Sequence, residues 1–328
     1  MKYLSPRTVQ VLMLLSVCAL LAAPFVLYPN FLIEVLCFSL LAAALNLLVS
    51  YAGLLSFGHA MFFGAAGYVT AHAIKVWGFE PALGIVVGVA VAAGVGAVTG
   101  ALAIRRQGIY FSMITLAFAQ LCYFLALRMP FTGGEDGLQD VPRRALFGFI
   151  NMGNSLVVYF VVLAITAFGF FAIYRIVYSP FGQVLRAIRD NEARAISLGY
   201  RVNNYKLMVY ILSATLAGLA GSIKAVAFQV VTLSDLNWVT SGEALLILIL
   251  GGLQTLVGPV VGAILIVSMS HYLATYAEWV LMIQGMVFVL VVLVFRKGIV
   301  GELYAWFERR ALRTAASAAA VAVKKENT

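Results

Sequence analysis

The sequence predicts an all-α, polytopic integral membrane protein of about eight to ten transmembrane helices, each crossing taking roughly twenty apolar residues. Three observations lead there. Hydrophobic residues make up 63% of the chain and charged residues 11%, where soluble domains carry about a quarter charged residues. The mean hydropathy is +1.00. Apolar runs of spanning length recur from one end of the sequence to the other.

The first run, Val9 to Tyr28, follows Lys2 and Arg7 and imitates a secretory signal. It is long for a signal core, and Val17 before Cys18 departs from a lipoprotein cleavage site, so a retained first helix is expected. Further runs extend from Phe31 to Ser50, Leu54 to Ile74, Ala82 to Ile104, Ile109 to Leu127 and Leu156 to Tyr178. After a polar segment comes Leu207 to Val230. The last third is ambiguous: Glu243 to Leu250 is short, Gly251 and Gly252 interrupt it, and Leu256 to Leu273 and Trp279 to Phe295 follow. Residues 1–308 form one membrane domain; residues 309–328 form an Ala-rich tail with too little apolar variety to build a core.

The basic residues set an orientation. Lys2, Arg7, Arg105, Arg106, the segment 179–206, Arg296 and Lys297 flank apolar runs, and the positive-inside rule places them, with both termini, in the cytoplasm. That parity needs about ten crossings, with Glu243 to Leu250 extended into a thin one; otherwise that stretch is re-entrant and another segment fails to span. The formal charge of +9 is thereby explained without nucleic acid. Cys18, Cys37 and Cys122 lie inside apolar runs and show no metal-ligand spacing.

The segment from Ser179 to Lys206 reads as a built amphipathic surface. Ser179 and Pro180 form a helix cap and first turn, Phe181, Val184, Leu185 and Ile188 recur at helical spacing, and Gly199 gives a stop. Arg186, Arg189, Asp190 and Arg194 occupy the opposite face. Such a helix either lies in the headgroup region or docks a cytoplasmic partner.

A second signal is an internal echo. GLLSFGHAMFFGA, Gly53 to Ala65, is similar to GLQTLVGPVVGA, Gly252 to Ala263, with a one-residue gap. Glycine-interrupted segments in corresponding halves point to inverted repeats and to a translocation pathway between them; the rival reading is chance likeness among glycine-rich membrane helices. Gly53, Ser56, Gly58, His59, Gly251, Gly252, Gly258 and Pro259 are its candidate residues. His59 is either a packed, hydrogen-bonded histidine or a substrate ligand.

Glu34 and Glu243 read as interfacial. Lys224 either snorkels to the outer interface or pairs with Glu243 or Asp235. In TGGEDGLQDVPRR, Thr132 to Arg144, the glycines make tight turns, either as plain structure or as a contact for a soluble outer partner. No phosphate-cradling GxxxxGK, HExxH, CxxC or GxSxG sequence is present. An enzyme lacks a motivated nucleophile, and an ion-coupled transporter would want paired intramembrane carboxylates.

Taken together, GLLSFGHAMFFGAAGY (Gly53 to Tyr68), GIYFSMITLAFAQ (Gly108 to Gln120), TGGEDGL (Thr132 to Leu138), the SPFG…LRAIRDNEARAISLGY…YKL segment (Ser179 to Leu207) and LGGLQTLVGPVVGA (Leu250 to Ala263) resemble the LivM-type permeases of bacterial branched-chain amino acid ABC importers. The resemblance implies a non-catalytic inner-membrane subunit working with a second related permease, two cytoplasmic ATP-binding subunits and a periplasmic solute-binding protein. ATP and Mg would sit on the partner ATPases, with no cofactor on this chain. It also implies ATPase coupling through Phe181, Gly182, Arg186, Arg189, Asp190, Glu192 and Gly199, and a binding-protein-facing loop at Gly133, Gly134, Asp136 and Gly137. Gln254 departs from the glycine often found there in similar permeases. Urea and short-chain amide permeases look similar across the docking segment.

Overall fold

A computed structural model describes residues 23–146, 148, 152–273, 277–294 and 298–302. Most of the expected first span, Arg296, Lys297 and the tail from 309 onward lie outside the described residues. Among those described there are eleven α-helices and no strand. In order they are α1 (Pro29–Asn46), α2 (His59–Lys75), α3 (Pro81–Ala103), α4 (Ile109–Arg128), α5 (Ser155–Val177), α6 (Pro180–Asp190), α7 (Glu192–Ser197), α8 (Val202–Phe228), α9 (Trp238–Gly251), α10 (Gly258–Tyr272) and α11 (Ala277–Val294). A π-helical turn, Leu47–Tyr51, prolongs α1. Among the described residues five helices are long and apolar enough to cross a membrane: α1 with its π turn, α3, α4, α5 and α8.

The helices alternate between two ends of the bundle. One, the basic end, carries α6 and α7; the other, the loop end, carries the glycine-rich turn from Thr132. Helix α2 starts at the break after the π turn and ends at Lys75, whose Nζ donates to the Gln139 carbonyl at 2.7 Å in that turn. Helix α8 runs the same way, from beside α7 to the Leu138–Val231 bridge. Helices α9 and α10 form an antiparallel hairpin, in which a Cβ on Gly251 would strike Gly258 and one on Gly262 would strike Ile247. Its tip touches the π turn through Ser50 Oγ, which accepts from the Gln254 amide at 3.1 Å. Its far end returns to the start of α1, where His271 meets Phe31 with ring centroids 5.5 Å apart.

Helix α1 is the hub. It is apolar all round, as a helix enclosed on every side must be, and every residue from Val35 to Asn46 is buried. Around it stand α5, α8, α9 and α10. Helix α3 joins through a stripe of small residues, Gly84, Gly88, Ala92, Gly96 and Gly100, all buried. Opposite Gly88, Ala92, Gly96 and Gly100 lie Ser222, Gly218, Ala214 and Tyr210 of α8. Without side chains in the way the backbones close up, and dispersion contacts supply the packing that lipid cannot drive. Thr70 Oγ1 marks the seam, donating to Gly84 O at 3.2 Å and lying 2.9 Å from Ser222 Oγ, whose hydroxyl it can accept.

Three expectations change. The run from Leu54 becomes helical only at His59, because Gly53 takes φ +71° and turns the chain out of α1. The short Glu243 stretch begins five residues earlier, at Trp238, where Asn237 caps the Val239 amide at 3.1 Å. Its polar first turns hid the helix, since Ser241 is buried against the break before α2. Even so, α9 and α10 have 14 and 15 residues, about 21–22 Å at 1.5 Å per residue, short of the ~30 Å hydrocarbon core. Third, the amphipathic segment is two helices, since Asn191 leaves helical geometry at φ −157° and recaps α7 through the Arg194 amide at 2.9 Å.

The alternation is testable with single cysteines in a background lacking Cys18, Cys37 and Cys122. In sealed vesicles an impermeant maleimide should label Asp140→Cys and Ser234→Cys from one side and Ser197→Cys from the other. Labelling of all three from one side would dismantle the order of the helices.

Candidate functional site

Among the described residues, two glycine-rich stretches break the helical run, residues 53–58 between the π turn and α2, and residues 252–257 between α9 and α10. They coincide with the two halves of the sequence echo. Away from water, exposed backbone groups must find partners inside the protein. At the first break Ser112 Oγ donates to the Leu55 carbonyl at 2.7 Å, and Thr115 Oγ1 accepts from the Phe57 amide at 3.2 Å. Ser56 Oγ takes the Gly58 amide at 3.1 Å, and Ser241 Oγ the Ala60 amide at 2.7 Å.

The second break is held mainly by the end of α1. Asn46 Nδ2 donates to the Thr255 carbonyl at 2.8 Å, Tyr51 Oη to the Gln254 carbonyl at 3.3 Å, and Ser50 Oγ receives the Gln254 amide. Thr255 Oγ1 closes the loop on Gly252 O at 2.8 Å and caps the Gly258 amide at 3.0 Å. Gln254 sits at φ +64°, a left-handed conformation that glycine adopts without penalty. The glycine of similar permeases therefore fits this backbone, and Gln254 contributes only main-chain atoms to the contacts described.

Of the candidate pathway residues, Ser56, Gly58, His59, Gly251, Gly252, Gly258 and Pro259 are buried, and Gly53 is exposed. Gly58 packs on Thr115 and Gly251 on Gly258. His59 is packed: its Nε2 lies 2.8 Å from Ser213 Oγ, which donates to Ala44 O at 2.6 Å, and its ring meets Phe62 edge-on. These residues form the joints of the bundle.

The amphipathic segment meets the first joint. Ser179 Oγ caps α6 by accepting from the Gly182 amide at 3.3 Å, and Gly182 fits only because it lacks a Cβ, which would strike the carbonyls of Ile176 and Val177. Phe181 stacks on Tyr205 with ring centroids 5.6 Å apart. Arg186 and Arg189 were expected on an outward basic face; instead both turn in. Arg186 donates to Val177 O at 2.8 Å and stands over the Tyr51 ring, and Arg189 donates to the Ser50 carbonyl. The C-terminal carbonyls of α5 and of the π turn attract cations, which explains the inward turn. Asp190 pairs with Arg189 at 2.8 Å, and Glu192 accepts from Lys206 at 2.8 Å and Gln107 at 3.0 Å. Gly199 takes φ +86° after α7. The surface left open is mixed: Arg194, Ile196, Leu198 and Tyr200 are exposed.

At the loop end, Gly133, Gly134 and Gly137 all have positive φ around Asp136. Gly137 lies under Val231, and Leu138 exchanges backbone bonds with Val231 at 2.9 and 3.0 Å. Glu135, Asp136 and Asp140 stay exposed. Beneath, Lys224 pairs with Asp235 at 2.5 Å and lies 5.5–5.6 Å from the Phe38 and Phe63 ring centres. Of the two readings, pairing is the one found. Glu34 and Glu243, expected at the interface, are half-buried. Of the two carboxylates the sequence offered Lys224, Glu243 and Asp235, the bonded partner is Asp235. Among the described residues no group of His, Cys, Asp and Glu is arranged to hold a metal.

The described residues thus form a polytopic helical bundle with two glycine breaks, one of them clamped to an amphipathic segment outside the long apolar helices. The family described as the branched-chain amino acid transport system permease component matches residues 27–292, and the chain belongs to that family. It is 26% identical over 282 residues to the high-affinity branched-chain amino acid transport system permease protein LivM of Escherichia coli K12, covering 77% of this chain but only 65% of LivM. It is 28% identical over 262 residues to the probable branched-chain amino acid transport permease protein LivH of Methanocaldococcus jannaschii, covering 76% of this chain and 79% of that protein. The ribose import permease protein RbsC of Escherichia coli K12 is 28% identical over 226 residues, covering 63% of this chain and 67% of RbsC. No solved structure matches.

Removing one member of a buried ion pair costs about 3–5 kcal/mol, because the other charge is left unpaired. Lys224→Met should therefore lower thermal stability markedly, and Lys224→Met with Asp235→Asn should recover most of the loss. Melting curves in detergent read this directly; equal instability of the single and double variants would show that the pair is not what matters.

Proposed function

We propose that this chain is the permease subunit of an ATP-driven importer of branched-chain or related hydrophobic amino acids in the bacterial inner membrane. It spans the membrane repeatedly, with the basic end and both termini in the cytoplasm and the loop end in the periplasm. It works with a second related permease, two ATP-binding subunits that carry ATP and Mg, and a periplasmic binding protein that delivers solute to the loop around Asp136. The chain itself performs no chemistry.

The observation that carries this reading is the seating of α6 and α7. A segment that merely floated in headgroups would turn its apolar face toward lipid. Here Leu185 and Ile188 are buried in the chain, both arginines of α6 reach backbone carbonyls, and Ile196, Leu198 and Tyr200 remain open beside Arg194. That arrangement supports a surface for a protein partner. The ATPase would bind the α7 side, while α6 faces the joints. This shifts the docking contact away from Arg186 and Arg189, which serve the chain's own packing, toward Arg194, Ile196 and Leu198.

Proteoliposomes holding the full importer should take up labelled leucine, isoleucine or valine only with ATP and binding protein, and this chain alone should take up none. ATP-independent uptake by the chain alone would replace this reading with an ion-coupled transporter. Ile196→Glu with Leu198→Glu should reduce ATPase co-purification at least tenfold while membrane insertion stays normal. Full retention of the ATPase would place the docking contact elsewhere.

A further inference from the structure

Apart from the close approach of Arg189 to Gly53, the α6 arginines reach the joints through two residues, Ser50 and Tyr51. On one side, Arg189 donates to the Ser50 carbonyl, and its stem lies so close to Gly53 that a Cβ there would come within 2.9 Å of Arg189 Cγ. Arg186 stands 6.0 Å above the Tyr51 ring. On the other side, Ser50 Oγ and Tyr51 Oη hold the amide and the carbonyl of Gln254, the residue at the tip of the α9–α10 hairpin. One turn earlier Asn46 holds Thr255. Thus Arg189 touches the first joint directly and reaches the second through a single turn of backbone.

That turn is also the one π-helical stretch among the described residues. A π turn carries one residue more per hydrogen-bonded ring than an α turn and has a nearby α-helical alternative; such turns recur at functional sites. Here Leu47–Tyr51 lies between a rigid, fully packed α1 and a glycine at φ +71°. It joins α1 to the turn at Gly53, and the Arg189 contact falls on its Ser50 carbonyl.

We infer that Arg189 is a positioning residue for transport: through the Ser50–Tyr51 turn it moves the joints at 53–58 and 252–257 together when α6 is displaced, so one movement of the amphipathic segment resets both helix breaks. This rests on the importer reading above and adds to it the residues that carry motion from the ATPase-facing segment into the bundle. Arg189 acts inward; it is not itself the ATPase contact. Tyr51 and Ser50 are the second link, and neither residue type nor spacing marked them in the sequence.

The test uses the assembled importer in proteoliposomes, with solute uptake and ATP hydrolysis measured on one preparation. Arg189→Ala should retain the ATPase at wild-type stoichiometry but move at least tenfold less solute per ATP, with the uptake Vmax reduced and KM unchanged. Tyr51→Phe, which removes only the hydroxyl on the Gln254 carbonyl, should lower the same ratio about threefold. Because the two act in series, the double variant should be no worse than Arg189→Ala. Loss of the ATPase from Arg189→Ala would make Arg189 an ordinary docking residue and overturn the inference. So would a wild-type ratio in either single variant, or losses that multiply in the double variant. If Arg189→Ala itself fails to insert into the membrane, Tyr51→Phe decides alone. Uptake by the wild type without ATP would instead sink the importer reading, an outcome that no variant is needed to see.

Discussion

Everything in this bundle answers to one constraint: a peptide group away from water must find its partner inside the protein. An unbroken helix meets that demand by itself. At the two glycine-rich breaks the chain leaves the helix, and each break needs a set of hydroxyls and amides to replace the missing bonds. Ser112, Thr115 and Ser241 converge on residues 53–60 from two other helices, and Asn46, Ser50 and Tyr51 converge on 254–255. An unsatisfied peptide group in an apolar medium costs several kcal/mol, so these contacts dictate how α1, α4 and α9 approach. The same constraint fixes the arginines of α6, which satisfy carbonyls at the ends of α5 and the π turn.

Much of the architecture was legible in the sequence because it depends on local signals. Pro29, Pro81 and Pro180 open helices, Ser179 caps one, and the two glycine-rich echoes mark both breaks. What escaped was set by distance. The partners of the breaks are lone serines, threonines and an asparagine scattered over α1, α4 and α9, and a buried serine in a helix looks the same whether or not it serves a neighbour. Asn191 split the amphipathic segment through a local cap, a signal that was present but outweighed by continuous apolar spacing. The inward turn of Arg186 and Arg189 was hidden because helical periodicity tells which residues share a face, and not whether a carbonyl waits opposite that face.

Membership of the permease family adds to the geometry without replacing it. The left-handed backbone at Gln254 gives a physical reason for the glycine of similar permeases, and it shows why glutamine survives there: the contacts use its peptide groups alone. The charged group at the loop end follows a different logic. Lys224 finds the Asp235 carboxylate at bonding distance and two aromatic rings beside it, so its ammonium is held in place where a lone lysine would extend to the membrane surface.

The seam between α3 and α8 has a consequence for how the chain finds its own alignment. Four small residues on α3 meet α8 at every fourth position, so a slip of four residues, about 6 Å along the axis, would set glycine or alanine against a similar neighbour again. Shape alone does not distinguish these registers. The difference lies in a few unequal points: the Thr70 hydroxyl between Gly84 and Ser222, and the bulk of Tyr210 against Gly100. Registration along a smooth rail thus depends on two or three side chains, and a conservative change at Thr70 or Ser222 threatens the identity of the packed state more than its strength.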